Sequence, residues 1–154
     1  MATESPTTIQ DILGMLPHRF PFLFIDRVVE VVPEESVHAQ HLVSMSHPLL
    51  QGHFPGNPIL PGVIQVEAMA QAAVVLAHRS GAFDPAKQDC LFIGIQEAKF
   101  RAPAVPGEAL DIRVRCLRLG RVGRFEGQVT CGEELKSSAK FTAIMQPKAS
   151  GSPG

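Results

Sequence analysis

Residues 52–73 of this 154-residue chain read GHFPGNPILPGVIQVEAMAQAA. Up to Gly62 the stretch holds one histidine among three prolines and three glycines. Residues 46–60, which are rich in proline and glycine, cannot form regular secondary structure over their whole length. Residues 63–79 then favour a helix that is apolar on nearly every side, and such a helix is usually buried all round. The sequence therefore predicts a central buried helix that carries a carboxyl group, that of Glu67.

Shorter segments on both sides of this helix predict a sheet. Thr7 or Thr8 is a suitable N-cap for a short helix that begins at Ile9. Runs rich in β-favouring residues, some alternating with period two, predict strands at residues 22–32, 37–45, 90–101, 109–119, 125–130 and 135–145. A single sheet wrapped around one buried helix is an α+β fold.

Composition narrows the class of protein. Hydrophobic residues make up 45% of the chain and charged residues 19%, as in a globular domain. We expect a flexible N-terminus (residues 1–8), one domain (residues 9–146) and a disordered tail (residues 147–154).

The net charge of −1 gives no reason to expect nucleic-acid binding. The halves differ, however: residues 1–90 carry −5 and residues 91–154 carry +4. The basic half is either a solvated strand face or a docking surface for an acidic partner.

The cysteines, the N-terminus and the lengths of the apolar runs indicate the compartment and the need for a metal or cofactor. The three cysteines are odd in number and widely spaced, which fits a reducing cytoplasm better than a disulfide scaffold or a zinc site. The N-terminus lacks the pattern of a signal peptide, and no uninterrupted apolar run reaches about 18 residues. We therefore expect a cytoplasmic protein without membrane insertion, metal or cofactor.

Glu67 and Gln71 are the first candidate site residues. Burial disfavours an ionised carboxylate and raises its pKa, which suits a general acid near neutral pH. Gln71 lies four residues later on the same helix face and is placed to hold the carboxyl by a hydrogen bond. The alternative is a structural carboxylate paired with an arginine.

His53 and Gly62 complete the candidate site. His53 sits in a stiff Pro- and Gly-rich loop and is a suitable base near pH 7, although a packed or capping histidine is the alternative. Gly62 begins the helix, where free N–H groups can polarise a carbonyl oxygen, although Pro-Gly is also a common helix entry. Together these groups fit proton abstraction α to a carbonyl with loss of a β-hydroxyl.

Three stretches carry a family resemblance: LPHRFPFLFIDRV (residues 16–28), residues 52–73, and LFIGIQEAKFRAPAVPGEAL (residues 91–110). They resemble the (3R)-hydroxyacyl-acyl-carrier-protein dehydratases of type II fatty acid synthesis, of the hydroxymyristoyl type, and the similarity extends over residues 9–145. The resemblance implies a hot-dog fold, in which a curved antiparallel sheet wraps around a long central helix. It also implies a homodimer, often assembled further into a hexamer.

The resemblance also implies roles for the site residues. His53 of one subunit would act as the base and Glu67 of the other as the acid, producing a trans-2-enoyl thioester. The Gly62 N–H would polarise the thioester carbonyl, and Gln71 would orient Glu67. The acyl chain would occupy an apolar tunnel at the dimer interface, for which the candidate lining residues are Phe54, Val63, Leu91, Phe92 and Ile93.

The chain departs from the family pattern in places. Leu91 replaces the Tyr of the usual Tyr-Phe pair, and Gln96 replaces the usual Asp. The gating of the tunnel mouth and the preferred length of the acyl chain therefore stay open. The bifunctional dehydratase/isomerases, which this segment also resembles, carry Asp at the acidic position and typically a Trp shortly after it. Glu67 and the absence of Trp in this chain therefore favour dehydration without isomerisation. His18, in the Leu-Pro-His-Arg segment, is expected to be structural.

The implied partner is an acyl carrier protein, which is acidic. Docking candidates in the basic half are Lys99, Arg101, Arg121 and Arg124. The alternative functions are a hot-dog thioesterase and a catalytically silent subunit that binds the carrier protein. The His-Phe-Pro-Gly loop argues against the first and the intact pair of His53 and Glu67 against the second. The pathway served (fatty acid, lipid A or polyketide) stays open.

Overall fold

A computed structural model describes residues 7–149, so the expectations for residues 1–6 and 150–154 fall outside the described residues. In chain order the elements are α1 (Ile9–Met15), β1 (Arg27–Val32), β2 (Ser36–Leu42), α2 (Pro48–Gln51), α3 (Gly62–Arg79), β3 (Gln88–Phe100), β4 (Ala109–Arg118), β5 (Val122–Cys131) and β6 (Glu134–Pro147).

The six strands form one antiparallel sheet in the order β1-β2-β4-β5-β6-β3. Helix α3 packs against all six strands, and Met69, Ala72, Val75 and Leu76 on it have no exposed surface. This is the hot-dog architecture that the sequence resemblance implies, and the α+β prediction is confirmed.

A close approach between helix and sheet depends on Gly127 of β5. A Cβ atom at this position would lie 2.9 Å from the sulfur of Met69, which is closer than packed atoms tolerate. The missing side chain therefore lets α3 approach the middle of the sheet.

The first predicted strand is too long at its start. Residues 22–32 were expected to form one strand, but β1 begins only at Arg27. The Phe24 N–H donates to the side chain of Gln71 instead of to a neighbouring strand. A tertiary hydrogen bond to α3 thus replaces the local β preference.

Several boundaries also differ from the prediction. Strand β2 ends at Leu42 rather than at residue 45, and the hairpin strands β5 and β6 extend beyond residues 125–130 and 135–145. Within the segment expected to be flexible, Thr7 is buried and exchanges two backbone hydrogen bonds with Val28, at 2.7 and 3.1 Å. Among residues 7–149, no helix is both long and apolar enough to cross a membrane.

A buried lysine fixes the loop between β3 and β4. The ammonium of Lys136 donates to the Pro103 carbonyl at 2.9 Å and pairs with Glu108 at 3.0 Å and with Glu134. Burial opposes its charge, but the two carboxylates outweigh burial and raise the pKa of Lys136. The backbone carbonyl of Lys136 also accepts from the Arg101 N–H, so this contact holds the end of β3 in place.

We predict that Lys136→Met lowers the free energy of unfolding by about 1–3 kcal/mol, because the Pro103 carbonyl and Glu108 lose their buried donor. Urea unfolding followed by circular dichroism measures this loss. The control is Lys140→Met, since Lys140 is exposed and its replacement is expected to change stability by no more than about 0.5 kcal/mol. Equal losses in the two variants would contradict the anchoring role of Lys136.

Candidate active site

Glu67 projects from α3 into an apolar pocket. Its side chain is 17% exposed, and the pocket walls include the rings of Phe92, Phe125 and Phe141 together with Met145. Desolvation raises the pKa of Glu67, and the hydrogen bond from Gln71 opposes this rise only in part. A carboxyl group with a raised pKa can carry a proton nearer neutral pH, as a general acid must.

Gln71 joins Glu67 to the loop that precedes β1. Its amide has no exposed surface, and its Nε2 donates to the Phe22 carbonyl at 2.9 Å and to Glu67 Oε1 at 3.1 Å. Its own Oε1 accepts from the Phe24 N–H at 2.8 Å. Because both ends of the amide have fixed partners, the orientation of the amide is fixed, and it presents a donor to Glu67.

His53 lies in the loop between α2 and α3. Its Nδ1 is 2.7 Å from the carbonyl oxygen of Ile59. A carbonyl only accepts, so Nδ1 carries a hydrogen, and in the neutral ring the lone pair lies on Nε2. The loop is closed by reciprocal backbone hydrogen bonds between Phe54 and Asn57, each 2.9 Å long, and by a 2.7 Å bond from the Ile59 N–H to the His53 carbonyl. The imidazole is therefore held with a free basic nitrogen.

Gly62 is the first residue of α3 and follows the N-cap Pro61. Within residues 7–149, no acceptor is bonded to the Gly62 N–H, as expected for the first turn of a helix. A Cβ atom at Gly62 would lie 2.6 Å from the ring of Phe100, so a larger residue here would require this ring to shift. Gly62 lines a surface groove together with Phe100, Arg101 and Val63.

The structure does not bring all the candidate residues together within one chain. In the described chain no hydrogen bond or ion pair joins His53 to Glu67: His53 Nδ1 contacts Ile59, whereas the polar side chains at Glu67 are Gln71 and His18. The candidate base and the candidate acid thus have different polar partners within the protomer.

His18 lies closer to the candidate acid than the sequence indicated. Its Nε2 is 3.6 Å from Glu67 Oε1, and both residues line the same apolar pocket. Burial and, to a smaller extent, the Arg19 guanidinium lower the pKa of His18. No periodicity in the Leu-Pro-His-Arg segment indicates this contact, because it depends on the docking of Phe22 and Phe24 onto Gln71.

The tunnel candidates fall into two groups. Phe92 lines the Glu67 pocket, with Leu91 and Ile93 next to it on β3. Phe54 follows His53 in the loop, and Val63 lines the groove at Gly62. All five side chains are at least 38% exposed in the single chain, so neither group encloses a tunnel within one protomer.

The four docking candidates do not form one patch in the protomer. Arg101 lines the groove at Gly62, at the start of α3, whereas Arg121 lines a depression with Ala82, beyond the end of α3. A helix of 18 residues is about 27 Å long, which separates the two arginines. Lys99 pairs with Glu97 at 3.1 Å, and Arg124 is exposed on β5.

Comparisons with solved structures identify the class of protein. The dehydratase heterocomplex ApeI:P from Xenorhabdus doucetiae contains a chain that is similar with a TM-score of 0.76 and 25% identity, over 89% of this chain and 91% of that one. A hypothetical thioesterase with coenzyme A from Streptococcus pneumoniae TIGR4 is similar with a TM-score of 0.60 and 17% identity, over 80% and 87% of the chains. Both comparisons support a hot-dog protein.

Sequence comparisons identify the family. The FabA-like domain matches residues 16–140. The FabZ 3-hydroxyacyl-[acyl-carrier-protein] dehydratase of Myxococcus xanthus (strain DK1622) is 38% identical over 91% of this chain and 92% of its own length. The FabZ of Nitratidesulfovibrio vulgaris (strain DP4) is 43% identical over 92% and 93%. The chain therefore belongs to the family of FabZ 3-hydroxyacyl-[acyl-carrier-protein] dehydratases, and the resemblance seen in the sequence is confirmed.

We predict that Glu67→Gln stabilises the protein at high pH but not at low pH. The folded-state pKa of Glu67 lies above its unfolded value, so ionisation costs stability as the pH rises through that interval. The melting temperature of Glu67→Gln should therefore equal that of the wild type near pH 4 and exceed it at pH 8. Thermal unfolding at the two pH values measures this, with Glu133→Gln in the exposed β5–β6 turn as the control. The same difference at both pH values would contradict the raised pKa.

Proposed function

We propose that this protein dehydrates (3R)-3-hydroxyacyl thioesters carried on an acyl carrier protein, giving trans-2-enoyl thioesters. One observation carries the assignment of roles: the Glu67 carboxyl has a raised pKa in an apolar pocket, while the His53 imidazole keeps Nε2 free. The apolar pocket favours the proton-bearing form of Glu67, and the bond at Nδ1 leaves Nε2 as the ring atom of His53 that can take up a proton. Membership of the FabZ family supports the substrate and the reaction.

The proposed reaction follows from these groups. His53 Nε2 removes a proton from C2, next to the thioester carbonyl, and the electron pair forms the C2–C3 double bond. The C3–O bond breaks, and Glu67 donates its proton to the departing hydroxyl, which leaves as water. The Gly62 N–H stabilises the negative charge that develops on the thioester oxygen. The residues then return to their starting protonation states through solvent.

We also propose that base and acid meet across a homodimer formed by the free edge of β3. In the described sheet β3 pairs only with β6, and along its 13 residues Leu91, Ile93 and Ile95 are 48–56% exposed. A long apolar edge strand is a site of association. Pairing two copies of β3 would continue the sheet between protomers and cover the apolar side chains beside the Glu67 pocket. A trimer of such dimers rests on the family resemblance alone.

The carrier protein is proposed to dock near the groove at Gly62. Arg101, just beyond the end of β3, lines this groove and is exposed, and Lys99 lies two residues before it, on β3. A positive charge at the groove would attract an acidic carrier and direct its prosthetic arm toward the carbonyl site. The position of Arg121 beyond the far end of α3 makes it a weaker candidate than Arg101.

The proposed function is tested by variants of the base and the acid. We expect His53→Ala and Glu67→Gln each to lower kcat by at least about 10³-fold, because each removes a proton-transfer group, while the dimer stays folded. Enoyl formation from a 3-hydroxyacyl thioester is followed by absorbance, and free thiol is measured in parallel. Free thiol without enoyl product would indicate a thioesterase, and no reaction of the wild type would favour a silent binding subunit.

A second measurement addresses isomerisation. With Glu67 at the acidic position, we propose that trans-2-enoyl thioester is the only enoyl product. Chromatographic separation of 2-enoyl and 3-enoyl products after prolonged incubation measures this, and accumulation of a 3-enoyl product would contradict the proposal.

Carrier docking is tested by charge reversal. We expect Arg101→Glu to raise KM about 5–10-fold for the carrier-bound substrate, because it replaces attraction with repulsion at the groove, and to change KM for a small thioester analogue by less than about twofold. Arg113→Glu, which reverses an exposed arginine of β4, is the matched control. An equal rise for both substrates in Arg101→Glu would exclude a role in carrier docking.

A further inference from the structure

We propose that His18 is a positioning residue of this site: together with Gln71 it faces one oxygen of the Glu67 carboxyl, so that the acidic proton is held on the other oxygen. This inference rests on the proposed function in so far as Glu67 is the acid. It adds a third side chain to the acid half of the site and gives a role to a histidine that the sequence analysis treated as structural.

The two polar neighbours of Glu67 reach the same atom. Gln71 Nε2 donates to Oε1 at 3.1 Å, and His18 Nε2 lies 3.6 Å from that oxygen. Within residues 7–149, neither a hydrogen bond nor an ion pair reaches Oε2. An oxygen that faces two donors acts as the acceptor of a protonated carboxyl, so the proton lies on the oxygen without donors. Oε2 is therefore the atom that can donate to the substrate hydroxyl.

The tautomer of His18 follows from its other nitrogen. Nδ1 is buried and has no hydrogen-bond partner among the described residues. A buried N–H without an acceptor costs about 1–3 kcal/mol, so the hydrogen of the neutral ring belongs on Nε2, which faces Glu67. The 3.6 Å separation exceeds hydrogen-bond length, and catalytic hydrogen bonds commonly tighten when substrate binds.

The loop that carries His18 is anchored rather than free. The Arg19 guanidinium donates to the carbonyls of Leu13, Leu16 and His18 at 2.7–2.9 Å. On the other side of His18, the carbonyl of Phe22 accepts from Gln71, and the ring of Phe22 stacks on the imidazole with centroids 6.4 Å apart. The same amide thus holds both Glu67 and the loop that presents His18.

Few ionisable groups influence the charge states of His18 and Glu67. Arg19 faces His18 from its own loop, and Cys90 faces Glu67 from β3; the β5 and β6 side chains that line the pocket carry no ionisable group. Burial and the charge of Glu67 raise the pKa of Cys90 to about 11, so the thiol is neutral at pH 7. Protonation of His18 would place a cation beside Glu67, favour its carboxylate and remove the acid.

Two substitutions at His18 separate a donor from a space-filling ring. His18→Gln keeps an N–H donor near the position of Nε2, whereas His18→Phe keeps the ring volume and the stacking with Phe22 but has no donor. We expect kcat to fall about 10–100-fold in His18→Phe, the equivalent of one hydrogen bond to a charged group, and to stay within about threefold of wild type in His18→Gln. KM for a small thioester analogue should change less than about twofold in both.

The matched control is His38→Phe. His38 also lies beside a carboxylate, with its Nε2 2.6 Å from Asp111, but it is on β2 and outside the Glu67 pocket. Its replacement is expected to leave kcat unchanged. The opposite order of the His18 variants, with Phe active and Gln impaired, would show that His18 only fills space and would overturn the inference.

A readout independent of turnover completes the test. Carboxyl ¹³C NMR of glutamate-labelled protein gives the pKa of Glu67 directly, with the resonance assigned by its loss in Glu67→Gln. Loss of a donor to the carboxylate raises this pKa, so we expect an increase in His18→Phe and the wild-type value in His18→Gln. The same pKa in wild type and His18→Phe would overturn the inference, whereas an inactive wild type would overturn only the proposed function.

Discussion

The buried amide of Gln71 holds three parts of the structure together. It donates to the Glu67 carboxyl and to the Phe22 carbonyl and accepts from the Phe24 N–H. These bonds dock the segment before β1 onto α3, which in turn packs against all six strands. Without this amide, two backbone groups would lose their partners in the core and Glu67 would lose its donor. The docking of this segment and the orientation of the Glu67 carboxyl thus depend on the same side chain.

The sequence predicted the parts of this structure that depend on local patterns. The all-round apolar composition of residues 63–79 predicted a buried helix, and the alternation in residues 109–119 predicted a half-buried strand; α3 and β4 confirm both. The pairing of Glu67 with Gln71 followed from the spacing of four residues on one helix face. These features require only the period of a helix or a strand and the cost of burying charge.

The features that the sequence did not predict depend on long-range contacts. Residues 22–26 favour a strand by residue type. The Phe24 N–H nevertheless donates to the side chain of Gln71 on α3, which is 47 positions away along the chain. The contact between His18 and Glu67 depends on the same docking. Likewise, charge counting grouped Arg101 with Arg121, but the length of α3 separates them. Spacing along the chain carries no information about such distances.

We propose that two chains share each active site, because His53 and Glu67 have no polar partner in common within the described protomer. The most direct measurement is the turnover of a heterodimer in which one chain carries His53→Ala and the other Glu67→Gln, purified through two different tags. If the base and acid come from different chains, one of the two sites is intact, and kcat should be about half that of the wild-type dimer. If both groups act within one chain, neither site is intact, and a heterodimer as inactive as the parent variants would contradict a site shared between two chains.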